Sequence, residues 1–356
     1  VNDSAHGPLA ILKGIARHQY VWGIAAIVLL LVVNLVNDPG YLAISISARG
    51  DLVGNSIDIL RAAAPIMMIA VGMCLVVATK GIDLSVGSVM VVAGAVSMEF
   101  LSAAGAPDSV GAMFGALGLV VLVSGALGAI NATLVSVIGL QPFISTLVLM
   151  LAGRGLAKVI TGGQNTSAQN EAMSWIANGR VLGFPVIFII ALAIVILVGL
   201  LVRRSALGLM LEAIGMDAQA ARLAGVNRRA LLFTVYILSG VLAGIAGVFA
   251  TSTVMTVDVS RTGYQLELDA ILAVVIGGTS LAGGKFNITG ATIGALLIAT
   301  LDKTVVYLGV DSAATPAFKA VIIVALVLLQ SERVRGAFRR RRITRPQPEK
   351  KEEVAA

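Results

Sequence analysis

A chain of 356 residues that is 58% hydrophobic and only 13% charged, with a mean hydropathy of +0.95, has too little polar surface to enclose a soluble core of its size. Its formal net charge of +7 calls for no nucleic acid, because much of the excess falls between Arg333 and Lys351, where a basic tail beside anionic lipid is a sufficient account. One cysteine, Cys74, and two histidines, His6 and His18, leave no intramolecular disulfide and no metal-ligand cluster to build.

Lys13 and Arg17 lie in a short tail, residues 1–20, before the apolar run Val21–Val36. No small-x-small cleavage site follows, and Asn34 and Asn37 end the run ahead of Pro39-Gly40, so an uncleaved first span with its N-terminus inside is expected. Residues 40–59 hold Arg49, Asp51, Asn55 and Asp58 and read as an external loop or surface helix. A second span, 60–79, then has Pro65 in its first turn, where a missing N–H costs nothing. It ends in Lys80-Gly81-Ile82-Asp83-Leu84-Ser85-Val86-Gly87-Ser88, where the glycines allow a tight turn and Asp83 or Ser85 can cap the third span, 86–101. Two readings of Asp83 and Ser85 stand: a capped turn at the cytoplasmic surface, or polar groups beside a solute path. Irregular backbone at membrane depth survives only against protein or water.

The fourth span, 110–138, carries Gly111, Gly115, Gly118, Gly125 and Gly128, a spacing that lets backbones approach closely and suggests an interior helix. Asn131 on it either bonds another helix or meets the solute. Phe143–Ile160 is the fifth span; Lys158 can snorkel outward, whereas Arg154 lies deeper and needs an acid or a helix C-terminus as partner. Residues 161–183 form the longest external segment and read as a plain surface loop or, from their location, as a docking site for a soluble partner. A sixth span, 184–202, leads into a polar interruption, 203–229, that holds Arg203, Arg204, Arg222, Arg228 and Arg229. Each such charge at mid-bilayer costs about 3 kcal/mol even on a lenient scale, so this loop lies outside the lipid, and its basic ends place it in the cytoplasm. Within it Asp217 can cap a short helix over 218–224 that Gly225 stops; Ala220, Ala221, Ala224 and Gly225 then share a smooth face.

The seventh span, 230–255, repeats the small-residue spacing at Gly240, Gly244 and Gly247. Glu267 and Asp269 open an eighth, where acids suit the positive end of the helix dipole or, alternatively, meet a partner or polyol hydroxyls. The glycine-rich run that follows ends in Gly284-Lys285 but lacks the Gly and Ser/Thr of a phosphate-binding loop, Thr279 and Phe286 standing in their places. Spans at 288–308 and 316–329 complete the count. The fold class expected is therefore all-α: a polytopic membrane protein of about ten transmembrane helices with both termini cytoplasmic.

Glu212-Ala213-x-Gly215, with Asp217 and then Ala220-Ala221-x-x-Ala224-Gly225-Val226-Asn227, resembles the ATPase-contacting loop of permease subunits in bacterial ABC importers of the monosaccharide (ribose/xylose/galactose) group. The usual Asn of that loop is here Asp217, which keeps the capping oxygen and adds a charge. GIDLSVGS at 81–88 is a hallmark of the same group, and QPFISTLVLMLAGRG and LELDAILAVVIGGTSLAGGKFN extend the likeness; IDILRAAAP, AGRG and VLLQSER look most like the galactofuranose-type permease. The resemblance implies a permease domain over 21–330, a cytoplasmic coupling loop at 203–229 and a basic cytoplasmic tail at 331–356, in a bacterial inner membrane. It implies a passive path for a galactofuranose- or ribose-like monosaccharide, with no catalytic residue, metal or cofactor. The implied partners are a tandem-domain ATPase, a second permease (homologue or copy) and a periplasmic sugar-binding protein, besides membrane lipid. Glu212, Gly215, Asp217, Ala220, Ala221, Ala224 and Gly225 become the candidate coupling residues; Asp83, Ser85, Asn131, Glu267 and Asp269 are the candidate path residues. The alternative, an ion-coupled secondary sugar transporter, calls for ionisable groups at mid-membrane, and only Asp83 and Arg154 come close.

Overall fold

A computed structural model describes residues 19–46, 52–311 and 314–330. The expected tails at 1–20 and 331–356 thus lie outside the described residues, save for 19 and 20. In chain order the helices are α1 (Gln19–Asn37), α2 (Asn55–Ala78), α3 (Val86–Ala104), α4 (Val110–Thr133, prolonged by a π-helical turn Leu134–Ile138), α5 (Pro142–Ile160), α6 (Glu171–Asn178), α7 (Val186–Arg204), α8 (Leu207–Met216), α9 (Ala218–Leu223), α10 (Arg228–Ser252), α11 (Leu266–Ile276), α12 (Ile288–Tyr307) and α13 (Thr315–Gln330). Three antiparallel pairs of two-residue strands sit between them: Ser45–Ile46 (β1) with Leu52–Val53 (β2), Thr166–Ser167 (β3) with Thr256–Val257 (β6), and Arg180–Val181 (β4) with Phe184–Pro185 (β5). The described residues up to 309 make one compact unit, and a second begins at 310, in which α13 is the described helix.

Eight helices among the described residues are long and apolar enough to cross a membrane, against the ten spans expected. Where the eighth span was expected, α11 has 11 residues. It is about 16 Å long, half of a hydrocarbon core of roughly 30 Å. The chain reaches its head as irregular backbone from 258 to 265. Helix α13 has 16 residues. A second difference concerns Pro65, which is inside α2 and not in its first turn. The polar residues 55–59 extend the helix instead of preceding it, because Asp58 suits the positive end of the dipole. Proline at 65 then removes the bond that the Arg61 carbonyl would accept.

Helix α10 is the hub, packed against α4 on one side and α2 and α3 on the other, while α12 packs on α2, α11 and α1. Lipid is as apolar as leucine, so helices associate there through close backbone contact more than through hydrophobic burial. The small residues provide it. A Cβ on Gly247 would overlap the Met90 carbonyl of α3, one on Gly240 the Ser124 carbonyl of α4, and one on Gly294 the Ala273 carbonyl of α11. Helix α4 is interior on one face only: Gly128 presses on the Tyr236 carbonyl, whereas a Cβ on Gly118 would meet nothing.

Candidate functional site

The Lys80–Ser88 turn does not lie flat at the end of the bundle. From the C-terminus of α2 it runs back inward, and α3 starts inside the bundle beside the fourth turn of α10. There Asp83 Oδ1 accepts bonds from the Ser85 amide (3.0 Å) and Ser85 Oγ (2.6 Å), and Asp83 Oδ2 accepts from Ser239 Oγ (2.8 Å). Asn131 Nδ2 donates to Ser85 Oγ at 2.8 Å, and Ser145 Oγ donates to Asn131 Oδ1 at 3.4 Å. One chain of hydrogen bonds therefore ties the turn to α10, α4 and α5. Asp83, Ser85, Asn131, Ser145 and Ser239 are all buried. Three candidate path residues thus sit together, inside a satisfied polar network that is expensive to open. The helix–helix bond expected as one reading of Asn131 is present.

At the end of the bundle that carries Arg203, Arg204, Arg228 and Arg229, the short helix forms as its cap dictates. Asp217 accepts from the amides of Gln219 (2.8 Å) and Ala220 (3.1 Å), and Gly225 stops the helix with φ +85°, a conformation that only glycine adopts at low cost. The Ala220 and Gln219 amide bonds, with a smaller contribution from Lys80, hold the Asp217 carboxyl below the usual carboxylate range. Ala220, Ala224 and Gly225 are exposed, and so is Leu223, at 90%. Ala221 is the correction: it is 4% exposed and faces its own chain. A one-turn helix lying on a protein must bury one side, and alanine is small enough to be that side. Glu212 is half-buried, and Gly215 is lodged at a three-way junction. A Cβ on Gly215 would overlap both the Ala78 carbonyl, at the end of α2, and the Gly284 amide, which itself donates to Ala78 O at 3.0 Å. Lys80 Nζ closes the junction by donating to Met216 O at 3.1 Å. The end of α2 and Lys80, which lead into the first glycine turn, meet the second turn, 278–284, here.

The third constellation surrounds the head of α11. Arg154, six residues before the end of α5, donates from Nη2 to Gly263 O at 3.1 Å, lies 3.9 Å from Glu267 Oε2, and has its guanidinium carbon 5.7 Å from the centre of the Tyr264 ring. The acid partner expected for Arg154 is therefore Glu267. Gly87, at the head of α3, is the near wall, since a Cβ there would overlap Glu267 Oε2 and Gly263 O. Glu267 is 9% exposed and Asp269 is also buried, so these two candidate path residues stand behind the surface. Tyr264, beside Arg154, and the following Gln265 are exposed. Residues 263–265 escaped the sequence reading; the one available signal was a polar pair, Tyr264-Gln265, directly ahead of the acids. Residues 161–183, expected as a docking segment, fold as β3, α6, β4 and a turn, with β3 paired to β6.

The family described as the branched-chain amino acid transport system / permease component matches residues 55–330. A fructose import permease of Bifidobacterium longum (strain NCC 2705) is 48% identical over 328 residues, 91% of this chain and 90% of the relative. A galactofuranose transporter permease of Escherichia coli (strain K12) is 41% identical over 320 residues, covering 89% and 92%. The ribose import permease of the same strain is 36% identical over 315 residues, covering 87% and 92%. No solved structure matches the chain.

Proposed function

Because this chain belongs to the permease-component family just described, and is the membrane-spanning subunit of an ABC importer for a monosaccharide, we propose that its two glycine turns carry the motion of a separate ATPase to a sugar path in the outer half of the bundle. The subunit is a transport component, not an ATPase, and works with an ATPase and a substrate-binding protein. In this reading the end bearing Arg203 and Arg228 is cytoplasmic, the membrane is a bacterial inner membrane, and residues 21–330 are the permease domain with 203–229 as its coupling loop. The ATPase is of the tandem-domain type and receives Glu212, Asp217, Ala220, Leu223, Ala224 and Gly225. A second permease, homologue or copy, completes the path, and a periplasmic protein delivers the sugar. The named substrates of the relatives make a fructose-, galactofuranose- or ribose-like sugar the cargo. Asp83, Ser85 and Asn131 frame the path from behind; Glu267 and Asp269 stand behind its wall.

One observation carries this reading: Gly215 lies backbone to backbone with Ala78 and Gly284, directly beside the exposed short helix. A push on α9 reaches the end of α2 and the second glycine turn through the backbone contact at Gly215, since packed interiors transmit strain instead of absorbing it. The test is Leu223→Asp in the complex reconstituted with its ATPase and binding protein. At 90% exposure the change leaves membrane insertion and thermal stability intact. Sugar-stimulated ATP turnover is expected to fall at least about tenfold, the effect of losing roughly 1.4 kcal/mol of contact. Undiminished turnover would remove the coupling role. The ion-coupled alternative predicts uptake abolished by a proton uncoupler; the importer predicts uptake that survives it and fails on ATP depletion.

A further inference from the structure

The segment 258–265 descends from the β3–β6 pair, beside the loops that close the far end of the bundle, to the head of α11. By the position of Arg154 on α5, it reaches about 9 Å inside the outer end of that helix and about 18 Å from its inner end. Ser260, Arg261, Tyr264 and Gln265 along it are exposed, Tyr264 at 60%. Backbone without a regular hydrogen-bond ladder, carrying a phenol, a carboxamide and a neighbouring guanidinium, is not sustained at that depth against hydrocarbon. The face must be wetted or covered by protein.

We infer that Tyr264, Gln265 and Arg154 form a shelf on which a monosaccharide rests during passage, through stacking of its C–H face on the Tyr264 ring and hydroxyl bonds to Gln265 and Arg154. The inference rests on the importer reading above and extends it to named contacts. An exposed aromatic ring with a guanidinium 5.7 Å from its centre and an exposed carboxamide next in the chain supplies the apolar and polar parts that a small-molecule subsite needs. Arg154 is held for the role, because Gly263 O and Glu267 engage its guanidinium while its carbon lies 5.7 Å from the centre of the Tyr264 ring. Glu267 is a positioning residue: its Oε2 has no hydrogen-bond partner among the described residues, while its charge faces Arg154. No acid on the shelf is exposed enough to grip a polyol tightly, which suits a site that must release what it binds.

The chain has one cysteine, Cys74, which is buried, so an introduced thiol is the single accessible one. In liposomes holding the permease with its ATPase and binding protein, Tyr264→Cys is treated with a charged, water-soluble maleimide. We expect labelling from the water phase, slowed several-fold when the binding protein is loaded with fructose or ribose. Gln265→Cys serves the same test should Tyr264→Cys fail to insert. Tyr264→Ala is expected to lower uptake about tenfold with assembly of the complex intact, and Tyr264→Trp to keep most of it. Absence of labelling at both positions would overturn the shelf, since the face would then be covered by lipid or a second permease. Labelling indifferent to sugar, with full uptake by Tyr264→Ala, would overturn it too. Wild-type liposomes that take up none of fructose, ribose or galactofuranose would instead remove the importer reading, and the shelf with it.

Discussion

The junction at Gly215 and the shelf at Tyr264 sit at opposite levels of one bundle and are built on opposite principles. At the junction three strands of backbone touch, and the residues that matter are Gly215, Gly284 and Ala78, which have almost no side chain. At the shelf the backbone is irregular and the side chains are long, polar and partly exposed. Rigid contact transmits displacement because nothing flexible lies between the parts; loose polar contact lets a solute bind and leave because no single bond is strong. A coupled permease needs both kinds, and needs them apart. Between them lies the Asp83–Ser85–Asn131–Ser239 network, which ties the head of α3 to the last turn of α4 and the middle of α10.

The most direct way to break the comparison is to put a side chain into the junction. Gly215→Leu would drive a branched chain into the Ala78 carbonyl and the Gly284 amide, neither of which can rotate away. Overpacking of this kind costs about 1–3 kcal/mol. We expect ATP-driven sugar uptake to vanish and the permease to melt several degrees lower in a detergent thermal-shift assay. Uptake that persists in Gly215→Leu would show that the turns need not touch α8 for the pump to work.

The same contrast tells why parts of this architecture were legible in the sequence and others were not. The starts and ends of α5, α10 and α12 match the apolar runs to within a few residues, because hydropathy reports length directly where lipid surrounds a helix. The cap at Asp217 and the stop at Gly225 were readable because both act within one turn. Helix α11 begins at the acids and ends at the Gly277 run as the sequence marks them, but its 11 residues are too few for the full span expected there. The burial of Ala221 was hidden: four small residues look alike on a helical wheel until a neighbour covers one of them. Ser239 could not be tied to Asp83 in advance, as the two are 156 residues apart. Nothing local marks a serine in an apolar helix as the partner of a distant acid.

A smaller effect sharpens the other side of the comparison. If Arg154 is held from behind by Glu267, then Arg154→Ala leaves a largely buried carboxylate facing no cation and lowers both stability and uptake. The double variant Arg154→Ala/Glu267→Gln removes that stranded charge. It is expected to recover most of the lost thermal stability and none of the lost uptake. A side-chain shelf predicts this separation; a structural ion pair predicts that stability and uptake recover together. Double-mutant analysis of melting temperature and initial uptake rate reads the two outcomes directly.

The smallest expected effects come from a single helix that contains both kinds of surface. On α4, Gly128 presses against the Tyr236 carbonyl and the Ile237 backbone of α10, while Gly118, ten positions earlier, has open space where a Cβ would go. Alanine at 128 must push two backbones apart, so a loss of about 1–3 kcal/mol is expected there. Alanine at 118 meets nothing and removes the conformational entropy that glycine loses in a helix, a gain of at most about 1 kcal/mol. The two substitutions are chemically identical and lie in one helix, so propensity cannot separate them; what differs is that Gly128 is buried against α10 and Gly118 is exposed. Equal melting temperatures for Gly118→Ala and Gly128→Ala would mean that close approach between helices does not hold this bundle together, and the stiffness ascribed to the Gly215 junction would lose its physical basis as well.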